Sequence, residues 1–371
     1  MKSRSRKIRY AVVGLGHIAQ AAVLPAFARA KKNSELAALV SDTPEKLEKL
    51  ARKYRVPSSY SYERFGECLE SDEVDAVYIA LPNHMHRDYA VAAARAGVHV
   101  LCEKPMALTE RDCEEMTEAA RDNRVRLMIA YRLHFEKANL TAIDAIRSGK
   151  IGEARIFESV FTMRVEDEDN IRLKSRAGGG PLWDIGVYCV NAARYLFRDE
   201  PTEVAALSAR HPRDRRFAEV DEMTGAVLRF PKERLASFTC SFGAHASGSW
   251  RVVGTDGEIR LDSAYDYAEP HRLTVRIGEK SREREYPRRD QFAAELLYFS
   301  DCVLRGKRPE PSGREGLADV RVIRAILDSA RTGRAVRLPD FERRARPDPR
   351  QEIRRPPVEE PELIEVDSVD D

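Results

Sequence analysis

The sequence has few cysteines and no long apolar run. Six cysteines are spread over 371 residues, with no C-x-x-C pair, which argues against a zinc site or a disulfide framework and is typical of a reducing cytoplasm. No run of about 18 apolar residues occurs, and no apolar segment of a secretory signal lies between the basic start MKSRSRK and the first strand. We therefore expect a cytoplasmic protein with no metal site and no membrane contact.

The chain also lacks an excess of charge of either sign. It has 63 basic and 61 acidic residues, a net charge of +2, so no overall field attracts nucleic acid. The basic stretch RHPRDRR has none of the interleaved aromatic residues that accompany nucleic-acid binding. We expect no nucleic-acid partner. The length favours two domains, and a hydrophobic content of 43% is sufficient for their cores.

The first third of the chain alternates strands and helices. The strands IRYAVV, ELAALV, VDAVYIALP, HVLCEKP and VRLMIAY are separated by helical segments, a pattern that predicts βαβ units and a parallel sheet. After about residue 130 strands follow one another, including EARIFESVFTMRV, MTGAVLRF and WRVVGTDGEIRLD. In the last of these, Asp256–Gly257 is a tight-hairpin signal.

A glycine turn links the first strand to the first helix. GLGHIA matches G-x-G-x-x-A with Gly14, Gly16 and Ala19. These residues permit a tight turn, a close approach of the backbone to a pyrophosphate, and close helix–strand packing. His17 and Ile18 complete the turn, where free helix N–H groups face the phosphates. We expect dinucleotide binding here; a turn that serves packing alone is the alternative.

The predicted architecture is therefore an α/β Rossmann domain with a parallel sheet, followed by an α+β domain with a large, open, mainly antiparallel sheet. We place the nucleotide-binding domain at residues 1–130 and the substrate-binding and oligomerisation domain at residues 131–340. Residues 341–371 are rich in Arg, Pro and Glu, and we expect them to form a charged, mobile tail.

The residues after the second strand bear on the choice of nicotinamide cofactor. An acidic residue there bonds the ribose 2′-hydroxyl and repels a 2′-phosphate, which favours NAD. Ser41 is the first residue beyond the apolar run, and Lys46 lies one turn into the next helix; a hydroxyl and an ammonium favour the phosphate of NADP. Asp42 argues for NAD. We expect NADP, with NAD as the alternative. A plain helix cap formed by Ser41 and Asp42 is compatible with either cofactor.

Polar residues end two further strands. Pro82 and Asn83 follow one strand, and Glu103, Lys104 and Pro105 end the next. Ligands of open α/β sheets bind outside the carboxyl ends of the strands. We therefore expect Pro82 and Asn83 along the cofactor, and Lys104 at the substrate with Glu103 as its partner. A surface lysine on an exposed loop is the alternative.

Two histidines and an arginine lie near the same strand ends. His84 and His86 have no acidic or cysteine companion, so we expect no metal there; His86 is expected near the cofactor, where it caps the helix. Arg132, in AYRLHF, is expected to reach the nicotinamide or the substrate, with a domain-linking salt bridge as the alternative. We expect His134 to be structural.

The segment GGGPLWDIGVYCVNAARYLF, residues 178–197, places a carboxylate and a phenol in a mostly apolar helix. Asp184 and Tyr188 are four residues apart and share one face, which Asn191 and Tyr195 extend. Because the rest of the helix is apolar, we expect this face to line a cleft. The solvated stripe of an amphipathic helix is the alternative.

Together these motifs resemble the Gfo/Idh/MocA oxidoreductases. AVVGLGHIAQAAVLPAF, CEKPMA, AYRLHF and GGGPLWDIGVYCVNAARYL occur in the order of that family, and the similarity runs from about residue 8 to about residue 338. Many members have histidine four residues after the helix aspartate. Tyr188 in that position makes the chain most similar to the glucose–fructose oxidoreductase branch.

The resemblance implies hydride transfer between a nicotinamide and a sugar or polyol carbon, with a catalytic group at Tyr188. It also implies NADP, since serine often follows the second strand in this branch, although Asp42 stands where the branch often has glycine. A homodimer or homotetramer formed through the second-domain sheet is implied as well. Only seven residues precede the first strand, so we expect no N-terminal clamp on the cofactor, and ordinary turnover with exchangeable cofactor.

Oxidation of an alcohol needs a group that takes the hydroxyl proton. An adjacent ammonium favours the phenolate form of a tyrosine. We therefore expect Tyr188 as acid/base, Lys104 as its electrostatic partner and a donor to the substrate, and Asp184 as an acceptor from a sugar hydroxyl or from Lys104. The expected enzyme is an NADP-dependent dehydrogenase or reductase of an aldose, a pyranose or a related keto-sugar. A glycosidase-like relative with retained cofactor and a non-catalytic NADP sensor are the alternatives.

Overall fold

The computed structural model describes residues 6–343 and 345–366. This part of the chain divides into two compact units. The first unit comprises residues 6–132, 290–316 and 353–366, and the second comprises residues 133–289, 317–343 and 345–352. Each unit contains one sheet.

The first unit is built on six parallel strands in the order β3-β2-β1-β4-β5-β6. The central strands are continuous apolar runs with both faces buried, as parallel sheets require. The strand order reverses between β1 and β4, which is where open α/β sheets bind ligands. The strands are β1 Ile8–Val13, β2 Ser34–Val40, β3 Ser58–Tyr60, β4 Ala76–Ile79, β5 His99–Cys102 and β6 Leu127–Ile129.

Helices connect these strands, and one more returns from late in the sequence. The late helix α8 belongs to this unit because its Ser300 Oγ lies 2.8 Å from the Tyr10 hydroxyl and its Leu297 carbonyl accepts from Asn33 Nδ2 at 2.9 Å. The helices are α1 Leu24–Ala26, which continues a π-helical turn over Ala19–Val23, α2 Pro44–Tyr54, α3 Phe65–Glu70, α4 His86–Arg95, α5 Glu110–Asp122 and α8 Gln291–Leu304.

The second unit is built on nine strands in the order β14-β13-β12-β11-β7-β10-β9-β8-β15. Every neighbouring pair is antiparallel except β7 with β10. The expected hairpin at Asp256–Gly257 joins β11 to β12. The strands are β7 Ala154–Thr162, β8 Glu203–Ala209, β9 Met223–Phe230, β10 Arg234–Ser241, β11 Ser247–Gly254, β12 Gly257–Asp262, β13 His271–Ile277, β14 Lys280–Tyr286 and β15 Val336–Arg337. These two sheets confirm the predicted fold class.

The large sheet has one covered face and one exposed face. Phe157, Phe238 and Trp250 are buried on the covered face, on which the helix Val187–Phe197 packs. The alternate positions of the central strands carry exposed apolar side chains instead. The exposed apolar side chains are Ile156, Val160, Leu207, Val227 and Leu235.

The remaining elements are three helices and several short turns. The helices are α6 Lys137–Arg147, α7 Val187–Phe197, which continues a π-helical turn over Leu182–Gly186, and α9 Gly313–Thr332. The 3₁₀-helical turns are Asn83–Met85, Arg132–Phe135, Ile171–Leu173, Ser175–Ala177, Arg215–Phe217 and Pro349–Gln351. No helix in the described ranges is long and apolar enough to cross a membrane.

The segment expected to be a mobile tail makes specific contacts as far as residue 366. Gln20 Nε2 donates to the Ile364 carbonyl at 2.9 Å, and Gln20 Oε1 accepts from the Ile364 N–H at 2.8 Å. Lys49 pairs with Glu365 at 3.0 Å. These contacts attach residues 353–366 to the first unit. Residue 344 and residues 367–371 of the expected tail lie outside the described residues.

Candidate active site

The glycine turn has the geometry that a dinucleotide needs. Gly14 has φ 91°, a region that favours glycine, and a Cβ there would lie 2.5 Å from the Ala80 carbonyl oxygen. At Gly16 a Cβ would meet nothing within 4 Å, so the main chain borders open space. His17 and Ile18 are half-buried beside it. The open approach at the start of a helix fits a pyrophosphate.

The end of β2 carries a buried hydroxyl and an exposed carboxylate. Ser41 is buried, and its Oγ accepts weakly from the Thr43 N–H at 3.4 Å. Asp42 Oδ1 accepts from the main-chain N–H of Tyr62, just after β3, at 2.9 Å. Lys46 lies half-buried in the first turn of α2. The Asp42 carboxylate therefore has a structural partner of its own.

The strand end at Glu103 contains a partner that sequence analysis missed. Tyr78, fully buried in β4, donates its hydroxyl to Glu103 Oε1 at 2.8 Å. The Lys104 N–H donates to Glu103 Oε2 at 3.2 Å. Burial raises the pKa of the Glu103 carboxyl, while the Lys104 charge and the Tyr78 hydrogen bond oppose that shift. Tyr78 looked like a core residue, since it lies in a continuous apolar run.

His86 joins the ends of two strands. It is fully buried, and its ring nitrogens lie 2.9 Å from the Pro105 carbonyl oxygen and 2.8 Å from that of Leu81. Burial lowers the pKa of this imidazole. The expectation that His86 caps the helix is wrong, because the start of α4 has no side-chain cap. Its ring instead holds the turn that contains Lys104, next to half-buried Pro82 and Asn83.

Arg132 lies in a buried polar cluster with residues of α8. Its Nη1 donates to Gln291 Oε1, and its guanidinium lies over the Phe292 ring at 5.9 Å. Neither carboxyl oxygen of fully buried Glu295 has a hydrogen-bond partner in the described part of the chain. Burial, followed by repulsion from Glu103, raises the pKa of Glu295 well above its ordinary value. No sequence pattern predicts Gln291 and Glu295 in this cluster, since they follow Arg132 by more than 150 residues.

In the second unit Asp184 is paired with an arginine that sequence analysis did not single out. Arg172 Nε donates to Asp184 Oδ2 at 2.9 Å, and the two side chains are 22% and 26% exposed. The pairing answers why a carboxylate stands in an apolar segment, because a partly buried charge needs a partner. Arg172 lies in the loop before the glycines, and local periodicity carries no information about it.

The glycines at residues 178–180 bring that loop against the helix start. A Cβ on Gly179 would lie 2.4 Å from the Arg172 carbonyl oxygen, and the Gly180 N–H donates to that oxygen at 2.8 Å. Gly178 and Gly180 have φ 77° and 108°, which other residues rarely adopt. The three glycines therefore fix the position of Arg172.

Tyr188 lies on an aromatic cluster in the first turn of α7. Its half-buried ring contacts Phe161 edge-on at 5.6 Å and Tyr265 at 5.9 Å between centroids. Tyr265 is held in turn by Ser159, whose Oγ lies 2.6 Å from its hydroxyl. Asp184 lies in the π-helical turn before α7. Both Asp184 and Tyr188 are partly exposed, so the helix presents them on one accessible wall.

The predicted extension of this wall is wrong. Asn191 and Tyr195 are buried, with 3% and 1% exposed. Asn191 bonds to His134 Nε2 at 2.9 Å and donates to Asp319 at 2.8 Å, and the Tyr195 hydroxyl donates to Asn139 at 2.8 Å. Partners from three other segments cover this part of α7, so its accessible polar face ends at Tyr188.

The candidate residues thus form two groups, one in each unit. The first unit carries the group at the strand ends and the second carries Asp184 and Tyr188 with Arg172. In the described ranges no three His, Cys, Asp or Glu side chains are grouped so as to hold a metal ion. The group at the strand ends consists of Gly14, Gly16, His17, Ile18, Ser41, Lys46, Pro82, Asn83, His86, Glu103, Lys104 and Arg132.

A parallel sheet with this glycine turn, followed by a large antiparallel sheet, defines a two-domain class of nucleotide-binding α/β proteins. Residues 8–131 match the family model described as an oxidoreductase family with an NAD-binding Rossmann fold, and residues 139–260 match the GFO/IDH/MocA C-terminal domain. The chain belongs to the Gfo/Idh/MocA oxidoreductase family, which confirms the resemblance.

Relatives with known names support the same family. The NADP(+) D-xylose 1-dehydrogenase of Haloarcula marismortui is 33% identical over 89% of this chain and 93% of its own length. A dTDP-3,4-didehydro-2,6-dideoxy-α-D-glucose 3-reductase of Streptomyces violaceoruber is 33% identical over 81% and 86%. The crystal structure of an aldose–aldose oxidoreductase from Caulobacter crescentus, complexed with glycerol, has a TM-score of 0.85 and 40% identity, over 90% of this chain and 100% of that chain.

Proposed function

We propose that this chain is an NADP-dependent oxidoreductase that interconverts a CH–OH group and a carbonyl on an aldose, a pyranose or a related keto-sugar. The observation that carries the proposal is the accessible pair of Asp184 and Tyr188 on one helix wall, in a chain whose other unit has a dinucleotide-binding turn. The named dehydrogenase and reductase relatives act on sugars, which supports the substrate class.

The residues present fit a nicotinamide dinucleotide. The open main chain at Gly16 would take the pyrophosphate, and Ser41 and Lys46 would take the 2′-phosphate of NADP. Asp42 accepts from the Tyr62 N–H, and its carboxylate keeps NAD as the alternative cofactor. The nicotinamide end would be bordered by Pro82, Asn83 and Arg132. His86 and Glu103 would lie behind the turn that contains Lys104. When bound, the nicotinamide accepts or supplies the hydride.

Tyr188 is the proposed acid/base. Oxidation of the alcohol removes a hydride from carbon and a proton from oxygen, and the Tyr188 phenolate oxygen takes that proton; in reduction the phenol returns it. The ring contacts with Phe161 and Tyr265 hold the phenol in one place. A fixed position is required, because proton transfer needs the two oxygens within about 3 Å.

Lys104 and Asp184 have supporting roles in this proposal. The Lys104 ammonium would donate a hydrogen bond to the reacting oxygen. Asp184, already oriented by Arg172, accepts from a second hydroxyl and so fixes which carbon reacts. A protein that only sensed NADP would have no use for this set.

The test is absorbance at 340 nm with NADP or NAD against a panel of aldoses, polyols and keto-sugars. We expect turnover with at least one neutral sugar and faster turnover with NADP. Tight cofactor binding without turnover of any sugar would contradict the proposal and favour the sensor. Cofactor that copurifies with the protein and turns over without added NADP would indicate internal recycling, as in a glycosidase-like relative.

We also propose that the exposed face of the nine-stranded sheet forms a homodimer or homotetramer. Leu207 on β8 is 76% exposed, and Val227 on β9 and Leu235 on β10 are also exposed on the same face. Exposed apolar side chains grouped on one face of a sheet favour a protein–protein interface.

A further inference from the structure

We propose that Arg172 is a specificity-determining residue: its pairing with Asp184 makes the wall beside Tyr188 electrically neutral, so that the site selects neutral sugars over sugars that carry a carboxylate or a phosphate. The inference rests on the proposed function, which places the sugar at this wall. It names the substrate class more narrowly and assigns a role to a residue outside the sequence motifs.

Both members of the pair are accessible to a ligand. Their side chains are 22% and 26% exposed, and the Nε–Oδ2 contact is 2.9 Å. The Arg172 guanidinium has five N–H donors, and this contact uses one of them. Arg172 donors and Asp184 acceptors together suit the hydroxyl groups of a sugar, which both donate and accept.

The loop is built to hold Arg172 in this position. The Asn170 side chain accepts from the Arg172 N–H at 3.0 Å, and the Arg172 carbonyl accepts from the Gly180 N–H at 2.8 Å. Gly179 lies too close to the Arg172 carbonyl for any Cβ. The main chain of Arg172 is therefore hydrogen-bonded at both its N–H and its carbonyl. An arginine that only contacts solvent at the surface does not require such a fixed position. Such preorganisation is typical of binding residues.

Two other basic residues of the same segment also have acidic partners. Arg164 pairs with Glu166 at 3.2 Å, and Lys174 pairs with Asp169 at 3.3 Å. Residues 163–177, between β7 and the glycines, contain four basic and four acidic residues, so this loop adds little net positive charge to the wall. An anionic sugar would lose hydration without gaining a counter-charge from these residues.

Arg172 and Asp184 carry opposite charges, so the loss of each should have an opposite effect on anionic sugars. Loss of Arg172 leaves the Asp184 carboxylate without this counter-charge, which repels anionic sugars. Loss of the Asp184 charge leaves the guanidinium free to attract them. The measured quantity is the ratio of kcat/KM for an anionic sugar to kcat/KM for its neutral counterpart. A ratio cancels any loss of catalysis common to both substrates.

The experiment compares D-glucose with D-glucuronate and with glucose 6-phosphate, or the corresponding pairs for the best neutral substrate. We expect Arg172→Gln to lower the ratio, and Asp184→Asn to raise it, by about tenfold each, the effect of one charged hydrogen bond. Arg172→Lys keeps the charge and should restore the ratio. Lys174→Gln, in the same loop, is the matched control and should leave the ratio unchanged.

NADPH fluorescence on binding provides a second readout, since it reports the fold and the cofactor site independently of turnover. Unchanged ratios in both Arg172→Gln and Asp184→Asn, with turnover of neutral sugars by the wild type, would overturn this inference and leave the proposed function standing. A wild-type preference for the anionic sugars would also overturn it. Absence of wild-type turnover with every sugar would overturn the proposed function, and the inference with it.

Discussion

Gly179 and Arg172 touch through their main chains: a Cβ on Gly179 would lie 2.4 Å from the Arg172 carbonyl oxygen. The glycines therefore do more than begin a helix. They allow the preceding loop to approach until Arg172 reaches Asp184, one turn before Tyr188. This single close contact therefore connects the glycine sequence to the position of the loop and to the Arg172–Asp184 pair.

Alanine at Gly179 should disturb both stability and activity. Because the new Cβ meets main-chain atoms of Arg172, which cannot rotate away, Gly179→Ala should lower the free energy of unfolding by about 1–3 kcal/mol. It should also lower kcat/KM for a neutral sugar, since Arg172 must move. Gly66→Ala is the control: its Cβ meets nothing within 4 Å inside α3. Equal stability and activity of Gly179→Ala and wild type would contradict the close contact.

The contacts of residues 353–366 predict that this segment stabilises the first unit. Gln20 is 1% exposed, and its carboxamide also donates to the Leu15 carbonyl at 2.9 Å. Gln20→Ala should therefore lower the free energy of unfolding by about 1–3 kcal/mol, since main-chain groups of Leu15 and Ile364 lose partners.

The exposed Lys49–Glu365 pair provides the control, and Glu365→Gln should leave the free energy of unfolding close to the wild-type value. A chain that ends at Glu352 should melt at a lower temperature than the full chain. If the truncated and full chains melt together in calorimetry, the segment is a mobile tail, as its composition predicts.

His134 should make the protein less stable in acid. It is buried against Asn191, and burial lowers its pKa to about 3. The unfolded state takes up the proton near pH 6.5, whereas the folded state does not. The stability contribution is therefore complete above pH 6.5, and it falls by about 1.4 kcal/mol per pH unit as the pH decreases towards 3.

His134→Gln, which keeps a donor for Asn191, should flatten the pH dependence of the free energy of unfolding between about pH 6 and 4 in urea titrations. Exposed His211→Gln serves as the control and should follow the wild-type curve. A wild-type slope in His134→Gln would show that this histidine does not carry the effect.

The exposed sheet face predicts an oligomer that charge can dissociate. Leu207 on β8 lies beside Gly225 of β9, and Val227 is the next residue of β9 on that face. Leu207→Glu with Val227→Glu should convert a dimer or tetramer to a monomer in light scattering, because burying two carboxylates without partners is costly. Leu304→Glu, at the end of α8, should not. A monomeric wild-type protein would contradict the proposed interface on this sheet face.

Much of the fold could be predicted because it depends on local periodicity. The apolar strands, the glycine turn at Gly14 and Gly16, and the hairpin at Asp256–Gly257 are each encoded within a few residues. The spacing of Asp184 and Tyr188 likewise placed both on one helix wall. Such patterns identify a face of an element, but they do not identify what covers it.

The errors and omissions follow from that limit. Asn191 belongs by periodicity to the same face as Tyr188, yet residues 134 and 319 bury it. Arg172 reaches Asp184 through a loop with no repeat, and Glu295 joins the Arg132 cluster from a helix that returns late in the chain. Contacts between distant segments decide these positions.

The central claim is that Tyr188 transfers the substrate proton, and Tyr188→Phe tests it most directly. The variant keeps the ring contacts with Phe161 and Tyr265 and loses only the hydroxyl. Tyr265→Phe is the matched control, because it removes a hydroxyl of the same aromatic cluster. That hydroxyl bonds to Ser159 and not to the substrate. Wild type and both variants are compared by kcat across the pH range and by the Kd for NADPH.

We predict that Tyr188→Phe lowers kcat by at least about 100-fold at every pH with an unchanged Kd for NADPH, and that Tyr265→Phe keeps the wild-type pH profile of kcat. A Tyr188→Phe variant that retains wild-type kcat across the pH range would contradict the account.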